Sequence, residues 1–95
     1  MTHEISDNTV PLFNKTFRIQ WESAQNTYVI LYPEGMVKLN TAAGEILSRC
    51  DGQKSVACII KELEALFPDA DTITTDVLTF LSTAYEKQWI EFRAT

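Results

Sequence analysis

One change of rhythm, at Asn40, constrains this chain more than any other feature. Before it, short apolar segments fit strands; after it, apolar residues recur at every third or fourth position. Phe17, Ile19 and Trp21 alternate with Arg18 and Gln20, the pattern of a half-buried strand. Glu22 to Asn26 is polar and fits a loop. Thr27 to Tyr32 is aromatic and β-branched, a second strand with apolar residues on both faces. In Pro33-Glu34-Gly35, proline pre-sets a turn and glycine tolerates positive φ, so the chain can double back. Met36 to Leu39 then makes a short third strand. Three strands this close in sequence predict an antiparallel meander.

Helices follow. Asn40 or Thr41 caps the first, which carries Ala42, Ala43, Ile46 and Leu47 inward. Asp51-Gly52 ends it, since glycine suits the left-handed position after a helix. Ser55 caps the second. Its stripe of Val56, Ile59, Ile60, Leu63, Leu66 and Phe67 falls within an arc of ~120° on a helical wheel. Pro68 closes it. The third helix starts near Thr72 or Thr74 and runs to about Gln88. Its apolar residues spread over ~180°, in one line of Ile73, Val77, Phe80 and Ala84 and another of Leu78, Leu81, Tyr85 and Trp89. A helix packed on one neighbour does not need both. Either this helix is buried on two sides, or its second line borders a groove for a partner. Trp89 to Phe92 is a terminal strand or a tail over the core. Residues 1–16 show little periodicity and read as a flexible arm, leaving 17–95 as a single domain. The expected class is α+β and winged-helix-like, a three-stranded antiparallel sheet followed by a three-helix bundle.

Composition narrows the function classes. Ninety-five residues make one domain, and 45% hydrophobic with 22% charged residues is ordinary for a globular protein. The longest near-continuous apolar run, Tyr28 to Tyr32, is far short of the ~20 residues of a membrane helix. The start MTHEISDNTV lacks the pattern of a secretory signal, so the cytoplasm is the expected location. Net charge is -5, and between Glu62 and Glu86 there are six carboxylates and no Lys or Arg. Such a surface repels phosphate backbones, and the third helix has no basic residue before Lys87, so nucleic acid is not an expected partner.

Catalytic sets are missing as well. The single histidine, His3, lies in the arm and reads as solvated. Cys50 and Cys58 form no C-x-x-C pair and read as reduced, structural thiols. Glu62 and Glu64, two apart on a helix, point apart. Asp69 and Asp71 precede the third helix, where carboxylates suit the positive end of its dipole. Three dispersed glycines make no phosphate loop. No catalytic residue, metal or cofactor is expected. What remains is a binding surface built from backbone, because a small sheet has two edges with unpaired N–H and C=O groups.

The block Tyr32-Pro33-Glu34-Gly35-Met36-Val37-Lys38-Leu39-Asn40 resembles the signature of the PqqD family. So do Phe17 to Glu22 before it and Glu45-Ile46-Leu47 after it. Asp51-Gly52, Val56, Ile59-Ile60, Leu63, Phe67-Pro68, Asp76-Val77, Phe80-Leu81 and Trp89-Ile90 keep the family's order and spacing, so the likeness covers about residues 17–90. One departure is Gln88, where the family usually has glycine.

This resemblance implies a peptide chaperone, not an enzyme, in the biosynthesis of pyrroloquinoline quinone (PQQ). It implies two partners, the ribosomal precursor peptide PqqA and the radical S-adenosylmethionine enzyme PqqE, which joins a glutamate to a tyrosine in that peptide. In such domains the leader peptide adds as an antiparallel strand to the third strand and lies against the third helix. By position, that places the peptide along Met36, Val37, Lys38 and Leu39. Its side chains would face Leu78, Leu81, Ser82 and Tyr85, which rest on the wheel geometry alone. Proline at Val37 is expected to weaken binding if that N–H points outward. Lys38 either meets an acidic peptide side chain or stays a solvated edge charge. The acidic band from Glu62 to Asp76 either steers a basic patch of the enzyme or solubilises the domain. The alternative reading is a small-molecule, quinone-binding protein that uses the groove beside the third helix. The open edge also allows self-pairing, so a monomer or weak homodimer is expected.

Overall fold

A computed structural model of the chain describes residues 5–93. In chain order its elements are strands Val10–Phe13 (β1), Arg18–Glu22 (β2), Thr27–Tyr32 (β3) and Gly35–Lys38 (β4), helices Thr41–Ser48 (α1), Val56–Leu66 (α2) and Ile73–Glu86 (α3), and strand Ile90–Arg93 (β5). The expected meander is present as an antiparallel sheet in the order β2-β3-β4. Central β3 buries Val29 and Ile30 on opposite faces, which is why its sequence is apolar on both. No helix among the described residues is long and apolar enough to cross a membrane.

Two turns connect the meander. Tyr32 pairs with Gly35, so Pro33 and Glu34 alone reverse the chain. The expected left-handed glycine is not used there: the one glycine with positive φ among the described residues is Gly52, at 78°. Proline's fixed φ supplies the bend. The loop between β2 and β3 ends on Asn26 at φ 55°, a conformation asparagine tolerates.

Residues 1–16 were expected to be a loose arm, but part of that segment is built into the fold. β1 pairs antiparallel with β5, Val10 opposite Arg93, and Val10 and Pro11 are buried. Thr9 and Asp7 carbonyls accept the N–H groups of Val56 (2.8 Å) and Ala57 (3.1 Å). These are donors that the first turn of α2 cannot satisfy internally. The N–H of Gly52 donates to the Pro11 carbonyl at 3.0 Å, and its positive φ shapes the α1–α2 loop to reach it. His3 lies outside the described residues.

Asn40 caps α1 by accepting the Ala43 N–H at 2.7 Å. Ala42, expected inward, is exposed; Gly44 takes the inner place, where an added Cβ would meet Tyr28 Cδ2 at 2.7 Å. Ser55 caps α2 through the Cys58 N–H at 3.2 Å. The fully buried stripe of α2 stops at Leu63: Phe67 is half-buried and packs against the core, whereas Leu66, expected inward, is 47% exposed. Arg49, the C-cap of α1, ties the two helices by bonding Glu45 (2.7 Å) and Glu62 (2.8 Å), and Lys54 reaches Glu62 at 3.2 Å.

α3 buries one central line, Val77, Leu81 and Ala84, with half-buried shoulders on both sides. Ile73 and Phe80 form one shoulder; Leu78, Ser82 and Tyr85 form the other. Its end is a Schellman motif around Gln88. The Trp89 N–H bonds the Ala84 carbonyl and the Gln88 N–H bonds the Tyr85 carbonyl, both at 3.0 Å, while Gln88 holds φ at 66°. A residue with a Cβ therefore sits where glycine is favoured.

Candidate functional site

The β4 edge is set by alternation. In an antiparallel pair, residues that exchange both hydrogen bonds alternate with residues whose backbone groups point away. The Leu39 N–H bonds the Tyr28 carbonyl at 3.0 Å, and Val37 lies opposite Ile30. Val37 and Leu39 thus turn their backbone groups toward β3. Met36 and Lys38 turn theirs outward, and no described residue bonds them. The condition placed on a proline at Val37 is therefore not met: that N–H is inside the sheet.

Side chains alternate in the same way. Met36 and Lys38 lie on the outer face, where Met36 is 49% exposed opposite Leu31, and Lys38 is exposed opposite Val29. Lys38 forms no ion pair among the described residues. It is also the only basic residue between Arg18 and Arg49. Val37 lies on the inner face, half-buried against the core.

Leu39 and Leu81 do not belong to an accessible surface. Leu39 is past the end of β4 and 6% exposed, and its carbonyl accepts the Thr27 hydroxyl at 2.6 Å. Leu81 is 0% exposed, on the line α3 turns to the core. Leu78 and Ser82 remain half-buried on their shoulder, and Leu78 packs against the same core as Val37. The ring of Tyr85 stacks on Phe92 of β5, with centroids 4.7 Å apart and planes 6° apart. One face of that ring is thus covered from within the chain.

Other features are electrostatic or structural. A hollow of about 450 Å³ at the end of α3 is lined by Asn14, Tyr85, Glu86, Gln88, Ile90 and Glu91. It sits where β1 pairs with β5, strands far apart in sequence that no local pattern joins. Both cysteines are free thiols. Burial, with a smaller contribution from the Asp51 charge, pushes the Cys50 thiol up to about 12, so it is protonated and inert at neutral pH. The Arg49 hydrogen bond, with Lys54 assisting, holds the Glu62 carboxyl below its ordinary value. Among the described residues there is no group of three or more His, Cys, Asp or Glu side chains placed to hold a metal ion. The second sheet edge, on β2, exposes the outward backbone of Ile19 and Trp21 by the same alternation, with Trp21 edge-on to Tyr28 at 5.1 Å.

Known proteins resemble this chain in sequence and fold. The family model described as coenzyme PQQ synthesis protein D (PqqD) matches residues 27–90. A protein of Stutzerimonas stutzeri (strain A1501) named PqqA binding protein is 48% identical over 90 residues, covering 95% of this chain and 98% of its own length. One of the same name from Azotobacter vinelandii is 51% identical over 88 residues, covering 93% and 96%. Among solved structures, the solution NMR structure of the PqqD truncation of Methylobacterium extorquens PqqCD superposes with a TM-score of 0.74 at 29% identity, covering 93% of this chain and 95% of that one. It is described as a functional, stand-alone recognition element for ribosomally synthesized and post-translationally modified peptides. A matched family model over most of the domain, with relatives near half identical end to end, places this chain in the PqqD family.

Proposed function

We propose that this chain is a peptide carrier of PQQ biosynthesis. It binds the precursor peptide PqqA as an added antiparallel strand on β4 and presents it to the radical S-adenosylmethionine enzyme PqqE, without catalysing a step itself. The observation that carries this reading is the pair of outward, unbonded N–H and C=O sets at Met36 and Lys38. The relatives named PqqA binding protein support the choice of guest, and the structural neighbour supports the class of function.

An extended guest loses about 1–2 kcal/mol of backbone entropy per ordered residue. Ladder bonds and apolar contacts must exceed that loss. A modest net affinity suffices for a carrier, because docking on the enzyme raises the local concentration of the bound peptide. The test is an amide NMR titration of the labelled full chain with synthetic PqqA. The Met36 and Lys38 amides should move most in the sheet, followed by signals from Leu78 and Ser82. Saturable binding with those amides unmoved would refute strand addition at β4.

A further inference from the structure

We propose that the β4 edge reads its guest in a fixed order: an acidic residue opposite Lys38, then an apolar residue opposite Val37, then a second apolar residue opposite Met36, running from guest N-terminus to C-terminus. This rests on the strand addition proposed above and specifies which peptides that edge selects.

The order follows from direction and parity. An antiparallel guest passes Lys38 before Met36. Its residues opposite Lys38 and Met36 take up the two outward backbone sets, so their side chains fall on the outer face beside those two side chains. The guest residue between them faces Val37. That is a non-hydrogen-bonded position, where paired Cα atoms approach to about 4.5 Å and side chains contact most closely. Three consecutive guest residues therefore meet three different surroundings.

Lys38 is the cationic one. Its ammonium has no ion-pair partner among the described residues, and its neighbour across Val29 is Gln20, whose amide is engaged with Glu22 at 2.9 Å. Val37 presents a half-buried apolar surface continuous with the core that Leu78 also touches. Met36 stands opposite Leu31 and is about half exposed, an uncovered apolar pair on the outer face. An acidic guest residue gains at Lys38, whereas a basic one is repelled there. Polar residues at the next two positions would cover apolar surface without benefit.

The experiment replaces each Asp and Glu of synthetic PqqA in turn by its amide and titrates each peptide into the wild-type chain and into Lys38→Gln. Lys38 is exposed, so the variant is expected to fold. One carboxylate should cost about two- to fivefold in affinity against wild type and nothing against Lys38→Gln, the magnitude of an exposed ion pair. That carboxylate should be followed, not preceded, by two apolar residues. Lys38→Glu should reverse the preference at the same position. If the Met36 and Lys38 amides move but no carboxylate couples to Lys38, the ordered reading is overturned while strand addition stands. A coupled carboxylate preceded by the apolar pair also overturns it. If neither amide moves on binding, strand addition itself has failed.

Discussion

Proline substitutions at adjacent positions of β4 should have opposite consequences. Met36→Pro removes an N–H that points away from the sheet and bonds no described residue. Edge strands accept proline where the lost donor faces outward, so the fold should survive. In the complex, one guest carbonyl would lose its donor. That costs about 1–3 kcal/mol, or roughly five- to 150-fold in affinity. Met36→Ala, which keeps the donor and removes only the side chain, is the control. Val37→Pro removes a donor committed to Ile30, which is 0% exposed. Breaking a ladder bond and leaving a buried carbonyl unsatisfied costs up to about 3 kcal/mol, out of about 5–15 for a whole domain.

Fluorescence anisotropy with labelled PqqA reads the affinity loss, and thermal unfolding by circular dichroism reads the stability loss. For a domain of this size, 3 kcal/mol corresponds to a fall of about 12–24 °C in Tm. Met36→Pro should keep its Tm within a few degrees and lose peptide; Val37→Pro should lose its Tm. If Val37→Pro melts like wild type while Met36→Pro binds undiminished, the assigned alternation is reversed and the argument from the β4 edge fails with it.

Gln88→Gly should stabilise the chain by roughly 0.5–1 kcal/mol, because relief of left-handed strain exceeds glycine's added unfolded-state entropy; Tm should rise by a few degrees, and an equal gain from Gln88→Ala would count against the φ argument. Thiol labelling under native conditions should modify half-buried Cys58 well before Cys50, which reacts only on unfolding; equal rates would contradict the burial of Cys50. Glu62 has a lowered folded pKa, so its contribution is complete above the ordinary value of 4.5 and is lost as pH falls through the folded value. Glu62→Gln should accordingly flatten the acid limb of a Tm-against-pH curve, and an unchanged limb would show that the Arg49 bond is not felt.

The parts of the fold visible in the sequence are those with short-range periods. The meander and three helices follow from alternation, from the 3.6 repeat, and from caps at Asn40 and Ser55 whose side chains do bond the expected turn. β1 was hidden because Pro11 interrupts its pattern and its partner lies at the other end of the chain. The end of the α2 stripe was hidden because a wheel orders directions but not depth: Leu66 falls in the same arc as Leu63 and yet is 47% exposed. The candidate edge was legible as a strand and not as a set of atoms. Residue types located β4, but only the pairing with β3 shows that Met36 and Lys38 carry the outward groups. Leu39 and Leu81 were misplaced for a related reason, since an apolar residue beside a groove and one beneath it look the same in sequence.

The small size of the edge decides where affinity comes from. Met36 and Lys38 offer two donors and two acceptors. At about 0.5–1.5 kcal/mol each, four ladder bonds contribute about 2–6 kcal/mol. Ordering the three guest residues that span them costs about 3–6 kcal/mol. On the proposed strand addition, the ladder would set register and direction and contribute little net binding. Binding would then come from side chains, and those proposed to supply it are Val37 and Leu78, each half-buried against the core. Leu78→Ala should weaken PqqA binding by about 1–2 kcal/mol, roughly five- to 30-fold, with a small loss of stability. Leu81→Ala, one turn away and wholly buried, should do the reverse: about 2–5 kcal/mol of stability lost, with the affinity of the folded fraction nearly unchanged. Unfolding curves and anisotropy titrations on the two variants separate these outcomes. If Leu78→Ala binds as wild type, the guest's side chains do not rest on α3, and four backbone bonds would be left to overcome an entropy loss of their own size.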